Sequence, residues 1–346
     1  MSAIDASYEL FAKEASMSET KVVPAVELAP PYASIVVGTD FTSCSAVAVG
    51  QALRLAALSC ASVHIVHVID TIVVIEIESV LSPVQQGIRD GLTADAEKVW
   101  TAFAANIPGA AAHPVDVLIN NRVVGILNHA REHGADLVVM GAFGDRRAAV
   151  GFGTVATACV RKSTADVLLV RETQAGPFKK VVAAVDFSET SARALARAAR
   201  MAARDGAELH VLHVFAAPWH QLHYKAPTTL DQPHLQKQYR DALERRLADF
   251  VLPISRAHDG LVVRPVCYDH QGHRSGIVEY ARSVSADLIV LGTRGRSNVR
   301  DILLGSTAEK ALAESPCSVL AIRPEHLGHS SAAADQTQVQ GSRPQF

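Results

Sequence analysis

Short aliphatic runs recur along the chain, each followed by a longer stretch in which alanine and charged residues mix. The runs fall at about 33–39, 62–70, 114–119, 136–141 and 166–171, then at about 180–185, 208–215, 261–267, 287–292 and 318–323. Leu137-Val138-Val139-Met140 and Leu288-Ile289-Val290-Leu291 contain no alternating polar position, the mark of strands covered on both faces. Segments 45–58 and 192–203 are rich in Ala with Leu and Arg, a composition that favours helix. Strand alternating with helix predicts right-handed crossovers and an α/β fold: a doubly wound, mainly parallel sheet with helices on both faces.

The same landmarks occur twice. Ile35-Val36-Val37-Gly38-Thr39-Asp40-Phe41 is answered by Val181-Val182-Ala183-Ala184-Val185-Asp186-Phe187 at an offset of 146. His64-Ile65-Val66-His67-Val68 returns as His210-Val211-Leu212-His213-Val214 at the same offset of 146. Asp136 and Gly141 return as Asp287 and Gly292 at 151, Gly144 as Gly295 at 151, and Gly153 as Gly305 at 152. A register held this long predicts two tandem five-stranded domains, over 31–173 and 178–324. The flanks 1–30 and 325–346 lack periodicity and are expected to be flexible extensions. Segment 216–233 is expected to be a loop leading into a helix over 234–250.

Composition narrows the class. Low aromatic content (5%) beside 49% hydrophobic residues suits sheets covered by Ala-rich helices. With 33 basic against 35 acidic residues, no global field recruits nucleic acid or an anionic membrane. The apolar stretches at 72–75 and 137–140 are far too short to cross a bilayer. Residues 1–30 lack the basic start and apolar core of a secretory signal, so the chain reads as cytoplasmic. Cys44, Cys60, Cys159, Cys267 and Cys317 form no CxxC and are expected to be buried free thiols.

In a doubly wound sheet, ligands sit beyond the carboxyl ends of the strands where strand order reverses. Three features of the second copy converge there: Asp186 at the end of the first strand, Val214 near the end of the second, and a glycine-bearing loop after the fourth. That loop runs from Gly292-Thr293-Arg294-Gly295 to Gly305-Ser306 with the spacing G-x2-G-x9-G-S. Glycine lets backbone approach a phosphate without a Cβ in the way. The helix over 307–314 then offers free N–H groups and the positive end of its dipole to an anion.

The loop spacing, the Asp closing strand one and the His-Val pair of strand two resemble the nucleotide-binding branch of the universal stress protein family. Ser315-Pro316-Cys317-Ser318-Val319-Leu320-Ala321-Ile322 resembles the family's last strand. The likeness covers about 33–171 and 179–323. It implies an adenine nucleotide alpha-hydrolase-like fold that binds an adenine nucleotide. ATP is the expected ligand, ADP and AMP are alternatives, and Mg2+ is an optional companion. By this resemblance Asp186, with Val185 and Phe187, meets the adenine or ribose, and the backbone around Val214 meets the adenine. Gly292, Thr293, Arg294, Gly295, Gly305, Ser306 and Thr307 then surround the ribose and phosphates. The matching positions of the first copy are Thr39, Asp40, Val68, Gly141, Gly144, Gly153 and Thr154. Members of the family pair through their fifth strands. The likeness therefore implies that Asp166–Val170 and Ser318–Ile322 lie antiparallel about a pseudo-two-fold axis, a pseudo-dimer within one chain. A further homodimer and an unidentified protein partner stay open.

The first copy departs from this pattern. Eight residues rather than nine separate Gly144 from Gly153, and Phe143 stands where the second copy has Arg294. The second site is therefore expected to be the more competent. Each feature also has an ordinary reading. Asp186 can cap the helix that follows, and Ser306-Thr307-Ala308-Glu309 fits a capping box. Arg146, Arg147, Arg296 and Arg300 can be solvated loop charge, as can Asp301 and the loop residues His270 and His273. His67 and His213 read as strand-packing residues, His64 and His210 face the other way, and no metal site is expected.

Other doubly wound functions lack their residues. There is no G-x4-G-K-[ST] for phosphoryl transfer, no G-x-G-x-x-G for a dinucleotide, no acidic pair for a phospho-receiver, and no recognisable Ser/His/Asp set. The expected function is an adenine-nucleotide-binding regulatory or stress-response protein with little or no hydrolysis, not an enzyme. The alternative is a pseudo-dimeric interaction scaffold that binds no nucleotide.

Overall fold

The computed structural model describes residues 26, 28–81, 87–144, 151–217, 219, 233–294 and 305–324. The first half comprises β1 (Ser34–Thr39), α1 (Ser43–Ala57), β2 (Ser62–Asp70), α2 (Thr71–Leu81), α3 (Ile88–Ala104), β3 (Val115–Asn120), α4 (Arg122–Glu132), β4 (Leu137–Gly141), α5 (Thr154–Lys162) and β5 (Asp166–Val170). The second comprises β6 (Lys180–Ala184), α6 (Glu189–Asp205), β7 (Glu208–Phe215), α7 (Pro233–Ala257), β8 (Val263–Asp269), α8 (His273–Ser283), β9 (Leu288–Gly292), α9 (Ser306–Glu314) and β10 (Ser318–Ile322).

The ten strands among the described residues join one sheet in the order β3-β2-β1-β4-β5-β10-β9-β6-β7-β8. Every pairing within a half is parallel, and the two halves meet through the antiparallel pair β5–β10, with Leu320 opposite Leu168. The expected fifth-strand pseudo-dimer is thus present as one continuous sheet.

Alternation along the strands explains the two cores. Ile35, Val37, Leu168, Val181, Ala183 and Leu320 belong to one apolar cluster, and Val36, Val138, Leu169, Val182 and Val319 to the other. Both clusters run across the two halves without interruption, so neither half has a core of its own on either face. Arg54 and Asp205 tie α1 to α6 across the seam with paired bonds of 2.5 and 3.0 Å. Gln51 donates to the carbonyls of Gln174 and Gly176 in the connecting segment.

Several expectations need correction. Helix α7 does not stop near 250 but runs to Ala257 through Pro253. Leu247, Phe250, Val251 and Ile254 are buried at helical spacing, and packing of that face carries the helix past the missing N–H. The apolar stretch at 72–75 lies in a helix, α2, that leaves Ile72, Ile75 and Val80 exposed. The chain before residue 31 is not wholly a loose extension: Val26 is buried, Ala29 O accepts from Arg200 Nε at 2.6 Å, and Pro30 O accepts from Arg197. Of the cysteines, Cys44, Cys159 and Cys317 are buried and free as expected, but Cys267 is half-buried and Cys60 exposed. Most of 216–233 and all of 325–346 lie outside the described residues.

Candidate functional site

Strand order reverses between β1 and β4 in the first half and between β6 and β9 in the second. In an open α/β sheet such a switch point, beyond the carboxyl ends of the strands, is where a ligand crevice forms. In the first half Thr39, Asp40, Val68, Gly141, Gly144, Gly153 and Thr154 all line one cavity of about 810 Å³, a size suited to a small organic ligand.

The crevice is built from the tip of β1 outward. Asp40 Oδ1 accepts from the amide and the hydroxyl of Thr42, and Thr42 caps α1. In the second half Asp186 Oδ1 accepts from Ser188 N and Oγ, and Ser188 caps α6. The aspartates therefore brace the capping residue and are not themselves the caps. Between aspartate and cap, Phe41 and Phe187 both take φ of 63°, a left-handed conformation that is strained for an aromatic side chain. That twist sends the ring away from the crevice. Phe187 is buried against Phe250 and His213, with the Arg246 guanidinium 4.3 Å from its centroid. The side chain of Phe187 thus belongs to the core.

The histidines hold this turn. His67 Nδ1 lies 2.9 Å from Thr39 O and His213 Nδ1 2.9 Å from Val185 O, each donating to a carbonyl at the end of the first strand. Burial lowers the proton affinity of His67, and also of His64, His129, His210 and His258. Below about pH 6.5 the unfolded chain takes up protons that the folded chain resists. Stability is fully present above that pH and is lost as pH falls. The thermal midpoint, scanned by calorimetry from pH 7.5 to 5, is expected to fall steadily below 6.5; a flat or rising midpoint would contradict this assignment.

The glycines sit where backbone crowds backbone. A Cβ on Gly144 would meet Asp40 Oδ2 at 2.8 Å, so this loop closes directly over the carboxylate. A Cβ on Gly141 would lie 3.1 Å from the backbone at the start of α1, and one on Gly292 would lie 2.8 Å from Thr190. Gly153 N donates to Ala142 O at 2.8 Å and Gly305 N to Thr293 O at 2.9 Å. Each of these two glycines is the N-cap of the next helix without a side-chain cap. The expected capping box at Ser306 is thus replaced by a bare glycine cap, and α9 begins one residue earlier, at Ser306. Thr154 and Ser306 follow these caps and are exposed, at the N-termini of α5 and α9.

Three of the expected residues do not present side chains to the crevice. Thr293 is fully buried and donates to Ile322 O at 3.1 Å; Val185 and Phe187 are buried in the core. Val214 packs so near α8 that a Cβ on Gly276 would lie 2.7 Å from it, and Val68 stands likewise against Gly125 of α4. Gly295, Arg146, Arg147, Arg296, Arg300 and Asp301 lie outside the described residues. Phe143, standing at the place of Arg294, stacks with Phe152, and both rings lie beneath the Arg171 guanidinium, at 5.1 and 5.4 Å. Aromatic packing on Arg171 anchors this loop at the seam. Gly151, at φ 89°, presses on Ala313 O of the second half, where a Cβ would clash at 2.6 Å.

Sequence reasoning missed part of the wall. Asp70 at the end of β2 and Arg122 at the start of α4 line the same cavity, 3.6 Å apart. Their signal was available: the carboxyl ends of β2 and β3 open on the same edge as β1 and β4.

Comparison with known proteins agrees with this architecture. The family profile described as "Universal stress protein family" matches residues 31–171 and again 177–323. A universal stress protein of Thermus aquaticus is 33% identical over 146 residues, 42% of this chain and 99% of its own length. Universal stress protein A homolog 1 of Coxiella burnetii is 31% identical over 151 residues, 42% of this chain and 96% of its own. The crystal structure of a universal stress protein from Archaeoglobus fulgidus superposes with a TM-score of 0.56 at 19% identity, covering 84% of this chain and 98% of that one; at that identity the likeness speaks for the fold. Among the described residues no helix is long and apolar enough to cross a membrane.

Proposed function

The chain belongs to the universal stress protein family, and from that premise we propose that it is a regulatory protein that binds adenine nucleotide, ATP foremost, and holds it without efficient turnover. The observation that carries the reading is the convergence of Thr39, Asp40, Val68, Gly141, Gly144, Gly153 and Thr154 on one switch-point cavity. Asp40 and Asp186 offer a carboxylate to ribose or adenine N–H and O–H groups. Backbone at Val68 and Val214 offers an edge to the base. The glycine caps open the helix N-termini of α5 and α9 to phosphate, with the hydroxyls of Thr154 and Ser306 beside them. Mg2+ would arrive with the phosphates.

A binding role fits the chemistry better than hydrolysis. Asp186 already accepts two hydrogen bonds from Ser188 and stands at the sugar end of the proposed pose, away from the terminal phosphate where a general base must act. Asp186→Ala is expected to weaken ATP binding by about 1–3 kcal/mol through loss of an acceptor that leaves its donor on the ligand unpaired, read by calorimetry. Single-turnover hydrolysis with Mg2+ should stay below about 1 s⁻¹. Turnover above that rate, abolished in Asp301→Asn, would make the protein an ATPase instead.

The exposed apolar residues of α2, Ile72, Ile75 and Val80, favour a second reading as a scaffold for a protein partner. A thermal-shift series with ATP, ADP, AMP and GTP separates the two: no shift with any nucleotide leaves the scaffold.

A further inference from the structure

At the edge of the sheet opposite the crevice, near the amino end of β2, the first half gathers three imidazoles and a carboxylate. His129 and His133 stand four residues apart at the end of α4, on one helical face. His64 of β2 stacks on His133 at 3.9 Å between centroids, and His129 lies 4.4 Å from His133. Asp116, on the neighbouring strand β3, completes the set: one ligand atom each from Asp116, His129 and His133 lie within 4.8 Å of one another.

We propose that Asp116, His129 and His133 form a binding site for a borderline divalent cation of the Zn2+ type, with His64 or water as the fourth ligand. Nothing in the proposed nucleotide function requires this site. His129 is its anchor. The side chain is only 4% exposed, and its Nε2 makes no hydrogen bond, although Asp116 Oδ2 is 3.4 Å away. A buried ring nitrogen without a hydrogen bond calls for an explanation, and a metal–nitrogen bond supplies one. Two bonds of about 2.1 Å meeting at a tetrahedral angle set their ligand atoms about 3.4 Å apart, the separation that Asp116 Oδ2 and His129 Nε2 already have at 3.4 Å, so the set closes by rotation of the exposed Asp116 and His133 side chains. Their backbones are already fixed: His133 O accepts from Ser34 Oγ at 3.0 Å, and Asp116 is paired in register with Val66.

Electrostatics agree with this geometry. The carboxyl end of α4 adds the negative end of a helix dipole. The second half has no counterpart. Tyr280 and Val284 occupy the places of His129 and His133, and Val266, paired with Leu212, occupies that of Asp116. There Tyr280 Oη, at the place of the His129 ring, lies 2.7 Å from His210 Nδ1, so these two side chains are joined by a hydrogen bond.

The test is Zn2+ titration of the full chain by calorimetry after chelator treatment, at pH 7.5 without nucleotide. One saturable equivalent is expected in the unsubstituted protein. Asp116→Asn and His133→Gln, both at exposed positions, should each weaken it by at least about tenfold while the metal-free thermal midpoint stays put. His270→Gln, at a separate His/carboxylate pair, should leave it unchanged. Co2+ should give the intense visible bands of four-coordination, lost in the same two variants. Absence of saturable uptake at about 100 μM Zn2+ (a millimolar-class interaction at best), or equal affinity in all variants, would overturn the site.

Discussion

Asp166→Ala is expected to destabilise the protein by about 3–5 kcal/mol, because it strips the partner from a buried cation. Asp166 is only 4% exposed and receives Tyr32 Oη at 3.0 Å, the amide of Arg323 at 3.0 Å and Arg197 Nε at 3.4 Å. Arg197 in turn lies 4.0 Å over the Tyr32 ring and donates to Pro30 O. Loss of the carboxylate leaves one backbone amide, one phenol and a guanidinium without their acceptor. The pseudo-symmetric position is Ser318, whose Oγ accepts from Arg171 N at 3.1 Å. Each central strand thus opens with a side chain that holds the amide just beyond the end of the other. Ser318→Ala removes a neutral acceptor only and should cost about 1–3 kcal/mol. Urea unfolding of the two variants measures both; a loss in Asp166→Ala no greater than in Ser318→Ala would refute the clamp.

Gly305→Val is expected to weaken ATP binding by about a hundredfold or more, roughly 2.7 kcal/mol, with Gly153→Val doing less. Both glycines adopt φ near −60° (−61° and −63°), which valine tolerates, so the effect should appear in binding before stability. A Cβ on Gly305 would stand 3.2 Å from Thr293 O, against 3.5 Å to Ala142 O at Gly153. The second loop therefore has less room, and its branched side chain should be pushed toward the phosphate path. Equal losses by calorimetry would remove the proposed difference between the two sites.

What sequence could show here followed the range of the interactions. Ten strands were legible because each is a short run dominated by aliphatic and β-branched residues, and the family resemblance implied the pairing across the pseudo-two-fold. Boundaries slipped where tertiary packing outweighed a local signal, as at Pro253, and β8 starts two residues later than its apolar run suggested. The crevice was half legible. Asp40, Asp186 and the glycines announce themselves by spacing, whereas Asp70 and Arg122 come from elements whose ends meet only in the folded sheet. Thr293 illustrates the reverse error: a polar residue in a loop motif that turns inward to Ile322 O. The cluster of His64, His129, His133 and Asp116 was not singled out in the sequence, since its members come from three elements.

The antiparallel β5–β10 pair also has a meaning for divergence. In a dimer of identical subunits every substitution occurs twice and meets its own copy across the axis, so a change must suit both sides at once. Here the axis is crossed by one chain whose two faces are encoded separately. Asp166 can face the amide of Arg323 while Ser318 faces that of Arg171. Phe143 can pack on Arg171 without a matching phenylalanine at position 294, and Gly151 can lean on Ala313 with no reciprocal contact required. One half is therefore at liberty to carry a shorter loop and different side chains while the other keeps the longer spacing, and the shared sheet holds both in register as they part.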